Sequence, residues 1–159
     1  MSRDTQLSDS DGVFLVKTAR KAVTEFLSNG NRMKLESDLE EKFSFNSGVF
    51  VTLNNPDGLR GCIGFPMPEK KLSHAIIEGA IAAATEDPRF PSVKINELND
   101  IVFEVTVLTP PVEIDVSDPM EYLEKIKVGR DGLIIRHSFS SGLLLPQVPV
   151  EYGWNVEEF

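Results

Sequence analysis

The chain has 159 residues, 41% of them apolar, and 25 acidic against 16 basic side chains give a net charge of −9; that length fits one domain with at most a subdomain. The acidity disfavours nucleic acid and anionic membrane surfaces, no run of about 18 apolar residues is present to cross a bilayer, and Met1-Ser2-Arg3-Asp4 lacks the layout of a secretion signal. A single cysteine excludes an internal disulfide and fits a reducing, cytoplasmic setting.

Residues 1–9 are expected to be flexible. A helix is expected from Ser10 or Asp11 to about Leu27, because Leu15, Val16, Ala19, Ala22, Val23, Phe26 and Leu27 recur at helical spacing and Gly30 follows as a terminator. Residues 31–41 are polar and read as a connector. Gly48-Val49-Phe50-Val51-Thr52-Leu53 is β-branched and aromatic. Turn chemistry follows in Pro56-Asp57-Gly58, and then Leu59-Arg60-Gly61-Cys62-Ile63-Gly64. The pair reads as a β-hairpin whose second strand carries the cysteine. A second helix is expected over about 71–85. Small residues on one face suit close packing on a sheet.

Asp87-Pro88-Arg89-Phe90-Pro91 forces a loop, and Ile101 to Leu108 reads as a strand. Apolar residues on both its faces predict a central position, with Glu104 as its one charge. Asp118-Pro119-Met120-Glu121 is a helix start that reaches about Ile126. Short strands are expected near 127–128 and 133–136, with a polar turn around Ser140, Ser141 and Gly142, and the apolar run Leu143-Leu144-Leu145 then ends at Pro146-Gln147. Asn155 with Glu158 looks like a further capped helix start. It stands so near Phe159 that either a frayed end or a chain cut before its natural terminus is expected. Strands, helices and hairpins together indicate an α+β fold with a mixed or antiparallel sheet.

Strict alternation along the second hairpin strand would put Arg60 and Cys62 on one face. A thiolate is nucleophilic and a nearby cation favours it, but a free cysteine also serves as a small buried hydrophobe. Gly61 and Gly64 imply that a ligand or another backbone comes close, or that the strand bends. Glu104, expected in a dry sheet, is either a general base or the structural partner of Arg60 or Arg89. Arg89, held between prolines, suits reading a carboxylate or phosphate, or else merely ends a helix beside Phe90. Gln147 after Pro146 can place an amide at a pocket or can close a strand. His74 and Glu78, one helical turn apart, suit an ion pair more than a metal. His137 ends a strand, and neither histidine shares a zinc-type spacing with Cys62, so no metal site is expected.

Six segments of this sequence resemble the AMME chromosomal region gene 1 family: residues 48–53; Leu59-Arg60-Gly61-Cys62-Ile63-Gly64; Asp87-Pro88-Arg89-Phe90; the Glu104 strand; Gly129-Arg130-Asp131-Gly132-Leu133; and Leu144-Leu145-Pro146-Gln147-Val148 with Trp154. The resemblance implies an α+β domain over residues 1–159. It would have a larger part holding both termini, a smaller part, and a cleft between them. It implies a candidate enzyme site at Arg60, Cys62, Arg89, Glu104 and Gln147, with no established activity, and an association with Memo-like and radical-SAM proteins. The family continues through a helical segment after the tryptophan, so that segment is expected to be missing here. Two functions remain open. One is an enzyme acting on a small anionic or nucleotide-like substrate, with Cys62 as nucleophile or thiol ligand, Glu104 as acid or base, and Arg60 with Arg89 as anion binders, Gln147 joining them on the substrate. The other is a non-catalytic binding or adaptor domain.

Overall fold

A computed structural model describes residues 7–159. The chain divides into two compact units, Met1–Pro110 and Pro111–Phe159. Most of the segment expected to be flexible, residues 1–6, lies outside the described residues. Leu7 packs on the hydrophobic core and Ser8 already caps a helix.

In the first unit α1 (Asp9–Asn29) starts at a capping box. The Asp11 amide donates to Ser8 Oγ (3.2 Å) and the Ser8 amide donates to Asp11 Oδ2 (3.0 Å). The ammonium of Lys42, then the amide and hydroxyl of Ser8, hold the Asp11 carboxyl down at about 2. The helix ends at Gly30, whose left-handed φ of 76° turns its amide back to the Phe26 carbonyl at 2.8 Å. Within the expected connector lies a short helix, α2 (Ser37–Lys42). It delivers Phe43 into the core, stacked on Phe14 with ring centroids 5.5 Å apart.

Strands β1 (Gly48–Asn55) and β2 (Gly58–Phe65) form the expected hairpin, and β3 (Val102–Leu108) pairs with β1 from the other side, antiparallel throughout. The order β2-β1-β3 makes β1 central and β3 an edge strand, contrary to the expectation for β3. Its apolar second face misled, because Val102 there is 66% exposed and Glu104 is exposed beside it. One charge in an apolar strand marked the solvent face rather than a dry one. α1 and α3 (Leu72–Thr85) pack on one face of this sheet, and Val49, Val51, Leu53, Leu15, Ala19, Val23, Ile76 and Ala80 are fully or almost fully buried between them. Each large aliphatic chain there contributes roughly 1.5–3 kcal/mol. A 3-10 turn (Ile95–Asp100), absent from the sequence expectations, connects α3 to β3. Arg20 of α1 donates to its Leu98 carbonyl at 2.8 Å and also to the Ile101 carbonyl.

In the second unit Asp118 caps a turn through Pro119 that runs into α4 (Tyr122–Lys125), as expected. No strand forms at 127–128. The Lys127 amide instead donates to Asp131 (2.8 Å), closing a tight turn in which Gly129 has φ 82°. β4 (Leu133–His137) pairs with β5 (Ser140–Leu144), so the turn falls at Ser138-Phe139, two residues before its expected place. The serines read as turn residues lie in a strand, and Ser138 is, among the described residues, the one non-glycine residue with a positive φ, 47°. α5 (Gln147–Tyr152) was hidden by Pro149. A proline in the first turn breaks nothing, because amides there have no helical partner. After Gly153, Trp154 stacks on Tyr152. Asn155 and Glu158 make the expected reciprocal bonds, 2.9–3.0 Å long.

No helix among the described residues is long and apolar enough to cross a membrane.

Candidate functional site at the β2 edge

The hairpin turn at Pro56-Asp57 sets Asn55 opposite Gly58 and Asn54 opposite Leu59. Beyond it the register shifts, so that Leu53 pairs with Gly61 and Thr52 with Cys62, and Arg60 is left over as the extra residue of a β-bulge. Arg60 and Cys62 therefore do not share a face by simple alternation. The Arg60 side chain is buried (8% exposed) and its donors are taken up. Nε and Nη2 reach the two oxygens of Glu97 at 3.0 and 3.3 Å, and Nη1 reaches the Pro91 carbonyl at 2.8 Å. This guanidinium, with the Lys94 amide, holds the Glu97 carboxyl below the usual range. Arg60 thus ties the hairpin to the 3-10 turn.

The glycines have separate explanations. A methyl at Gly61 would stand 2.1 Å from the Ala83 carbonyl oxygen, so the backbone of α3 fills that space. A methyl at Gly64 would collide with the Val49 carbonyl oxygen and the Phe50 ring, at 2.3 and 2.5 Å. Close protein neighbours, not a ligand, account for both.

Cys62 points away from the helices and is partly exposed. Its row across the sheet is Cys62, Thr52, Glu104. Sγ lies 3.2 Å from Thr52 Oγ1. Its main chain faces the open edge of the sheet, where unpaired amides and carbonyls are normally a liability. Here they are closed by side chains. The Cys62 amide donates to Asp87 Oδ2 (2.9 Å), and Arg89 Nη2 donates to the Cys62 carbonyl (3.3 Å). Asp87 and Arg89 are joined by two further bonds, from Nε to Oδ1 (2.9 Å) and from Nη2 to Oδ2 (2.7 Å), and the Arg89 amide also donates to Oδ1. The Asp87 side chain is 2% exposed and the Arg89 side chain 56%. Arg89 and the amides hold the Asp87 carboxyl well below its ordinary range against the opposing effect of burial, and Asp87 in turn raises the Arg89 guanidinium.

Three of the five expected residues thus gather in the first unit: Cys62 and Glu104 in one row on the exposed face, and Arg89 at the Cys62 backbone. Of the two arginines expected as partners for Glu104, Arg60 is held by Glu97 and Arg89 by Asp87. Gln147 opens α5 in the second unit, and His137 ends β4 there. His74 bonds Glu40 at 3.1 Å and Glu78 bonds Lys70, so His74 and Glu78 belong to separate pairs. The residues that sequence reasoning missed are Asp87, Thr52 and Glu97. Asp87 had a signal, a carboxylate two residues before an arginine after the end of a helix. Thr52 had one in its hairpin register, but the bulge had to be known first. Chemically, the row offers a half-exposed thiol with a hydroxyl in contact, a carboxylate one strand further on, and a fixed cation at the edge.

A family model described as AMMECR1 matches residues 16–159. The protein MJ0810 of Methanocaldococcus jannaschii is 54% identical over 155 residues, covering 96% of this chain and 76% of its own length. A protein of Methanothermobacter thermautotrophicus is 52% identical over 153 residues, covering 96% of this chain and 80% of its own. Among solved structures, the crystal structure of the uncharacterized protein PH0010 from Pyrococcus horikoshii superposes with a TM-score of 0.90 at 50% identity. That match covers 96% of this chain and 77% of the other.

Proposed function

The chain belongs to the AMMECR1 family, and from that membership we propose that the exposed face of its three-stranded sheet is an enzyme site for a small anionic or nucleotide-like substrate. Cys62 is the nucleophile or thiol ligand. Glu104 is the acid or base, and Arg89 binds the anion. The observation that carries this reading is the row Cys62–Thr52–Glu104 on the exposed face with Arg89 at the Cys62 carbonyl. A guanidinium clamped by a buried carboxylate presents its charge in one place and loses little freedom on meeting an anion. The Thr52 hydroxyl fixes the thiol on the exposed side. Arg60 acts as a positioning residue, because it holds the bulge that gives Cys62 its side.

Alkylation of Cys62 tests this. Iodoacetate carries a negative charge and iodoacetamide none. With Arg89 held at the Cys62 carbonyl, the ratio of the two alkylation rates is expected to exceed that of glutathione by about fivefold, a gain on the order of 1 kcal/mol, and Arg89→Gln is expected to abolish the excess. A ratio equal to that of glutathione sinks the anion site.

The second reading, a binding or adaptor domain with Memo-like or radical-SAM proteins as partners, draws support from Gly61 and Gly64, whose close neighbours are protein backbone and side chain, and from Arg60, whose bonds go to Glu97 and Pro91. Recovery of such a partner equally by wild type and Cys62→Ser, with no anion preference at the thiol, favours it.

A further inference from the structure

On the Cys62 side of the sheet one aromatic ring is unused by the reading above. Phe50 lies two residues before Thr52 on β1 and on the same side, opposite Gly64 of β2 and Thr106 of β3. Val49 and Val51 beside it are fully buried against the helices, whereas Phe50 turns the other way and is partly exposed. Its ring leans over β2, since a methyl at Gly64 would stand 2.5 and 2.6 Å from its Cγ and Cδ1. The bare backbone at Gly64 thus seats the ring across the strand that carries Cys62. A ring seated in this way loses little freedom when a second ring stacks on it.

A cation lies further along the same strand. Gly64 is two residues from Cys62, about 7 Å, and Arg89 Nη2 donates to the Cys62 carbonyl at 3.3 Å. Neither nearby carboxylate stands in the way of an anion there. The Asp87 side chain is 2% exposed and the Arg89 side chain 56%, so the guanidinium and not the carboxylate meets solvent. Glu104 stands on β3, two strand spacings or about 10 Å from Cys62.

We propose that Phe50 stacks the base of a nucleoside monophosphate whose phosphate meets Arg89, the ribose spanning the stretch of β2 between Gly64 and Cys62. This rests on the reading of the Cys62 face as an anion site and names its substrate class. Stacking requires no particular base, because every base has a π-face, and one base on one aromatic ring is worth about tenfold in affinity.

The test is a titration of the whole isotope-labelled chain with adenosine monophosphate, followed by NMR. Adenosine serves as the ring without the anion and ribose phosphate as the anion without the ring. Saturable shifts at Phe50 and Gly64 are expected with the monophosphate and with adenosine, and at Cys62 and Arg89 with the monophosphate and with ribose phosphate. Each fragment is expected to bind about tenfold more weakly than the whole. Phe50→Leu is expected to weaken the monophosphate and adenosine about tenfold and to leave ribose phosphate unchanged, and Phe50→Tyr to keep wild-type binding of all three. Arg89→Gln is expected to weaken the monophosphate and ribose phosphate but not adenosine. Ribose phosphate binding as tightly as the monophosphate, or weakened as much as the monophosphate by Phe50→Leu, overturns the stacking platform and leaves the anion site standing. Adenosine binding as tightly as the monophosphate, with Arg89→Gln without effect, overturns the phosphate contact and the anion site with it. No saturable shift with any of the three overturns the nucleotide, and the alkylation ratio then decides the anion site by itself.

Discussion

The two units of the chain are stabilised by different means. Between Leu15 and Phe103 the first unit buries one continuous cluster of aliphatic and aromatic side chains, whereas among the described residues of the second only Ile126 and Pro149 are buried. The second unit relies on local chemistry: the Asp118 capping box, the Asp131 turn, the left-handed Gly153 after α5, and a two-stranded ladder whose Ile135 and Phe139 are exposed. A crowded core punishes any change of volume, while a thin one with polar turns tolerates volume and depends on its hydrogen bonds. Matched substitutions can break or sharpen that contrast.

The largest difference is expected between Gly61→Ala and Gly142→Ala. In the first unit the added methyl meets the α3 backbone at 2.1 Å, and neither element can yield cheaply. In the second it meets only the Cγ2 methyl of the exposed Ile135 at 3.3 Å. Urea denaturation should show a loss of about 3 kcal/mol for Gly61→Ala and less than about 1 kcal/mol for Gly142→Ala. Comparable losses would end the contrast.

Next come the carboxylates. Asp87→Ala deprives the Cys62 and Arg89 amides of their acceptor and is expected to cost about 2–3 kcal/mol. Asp131→Ala, in an exposed turn beside Arg130, should cost about 1 kcal/mol or less. The difference has a pH signature. The Asp87 carboxyl is depressed in the folded chain, so its contribution is fully present above the unfolded value near pH 4 and is lost as pH falls through the folded one. The urea midpoint should therefore drop steadily below about pH 4 in the wild type and less steeply in Asp87→Asn. Equal slopes would remove Asp87 from the account.

The smallest effect is expected at the β4–β5 tip. Phe139→Ser should move the melting free energy by no more than about 0.5 kcal/mol, because the ring is fully exposed already. A larger loss would show that the second unit has more of a core than its burial suggests.

The same contrast explains what could be read in the residues alone. In the first unit, apolar spacing foretold α1, α3, the hairpin and β3 to within a few residues, because burial and periodicity express one cause there. It failed on α2 and on the 3-10 turn, which are short and polar. It also failed at the bulge, since an extra residue leaves no periodic trace. In the second unit Asp118-Pro119 and Asn155–Glu158 were legible as caps. The β4–β5 pairing was misplaced because serines suit exposed strands as well as turns. The candidate site was legible as a set of residues and not as an arrangement. Nothing in Asp87-Pro88-Arg89 states that its carboxylate and guanidinium will close a strand edge 25 residues earlier.

The extra residue at position 60 also sets something like a reading frame for β2. With the turn fixed at Pro56-Asp57, an unbroken ladder would pair Leu53 with Arg60, Thr52 with Gly61 and Val51 with Cys62, turning every later side chain over. Arg60 would then stand where the α3 backbone now touches Gly61, and Cys62 would turn to the helix side in the place of Ile63. One unpaired residue assigns the glycine to the helix and the thiol to the open side. Substitutions along β2 alter single letters of that assignment, whereas a slip of one residue rewrites it.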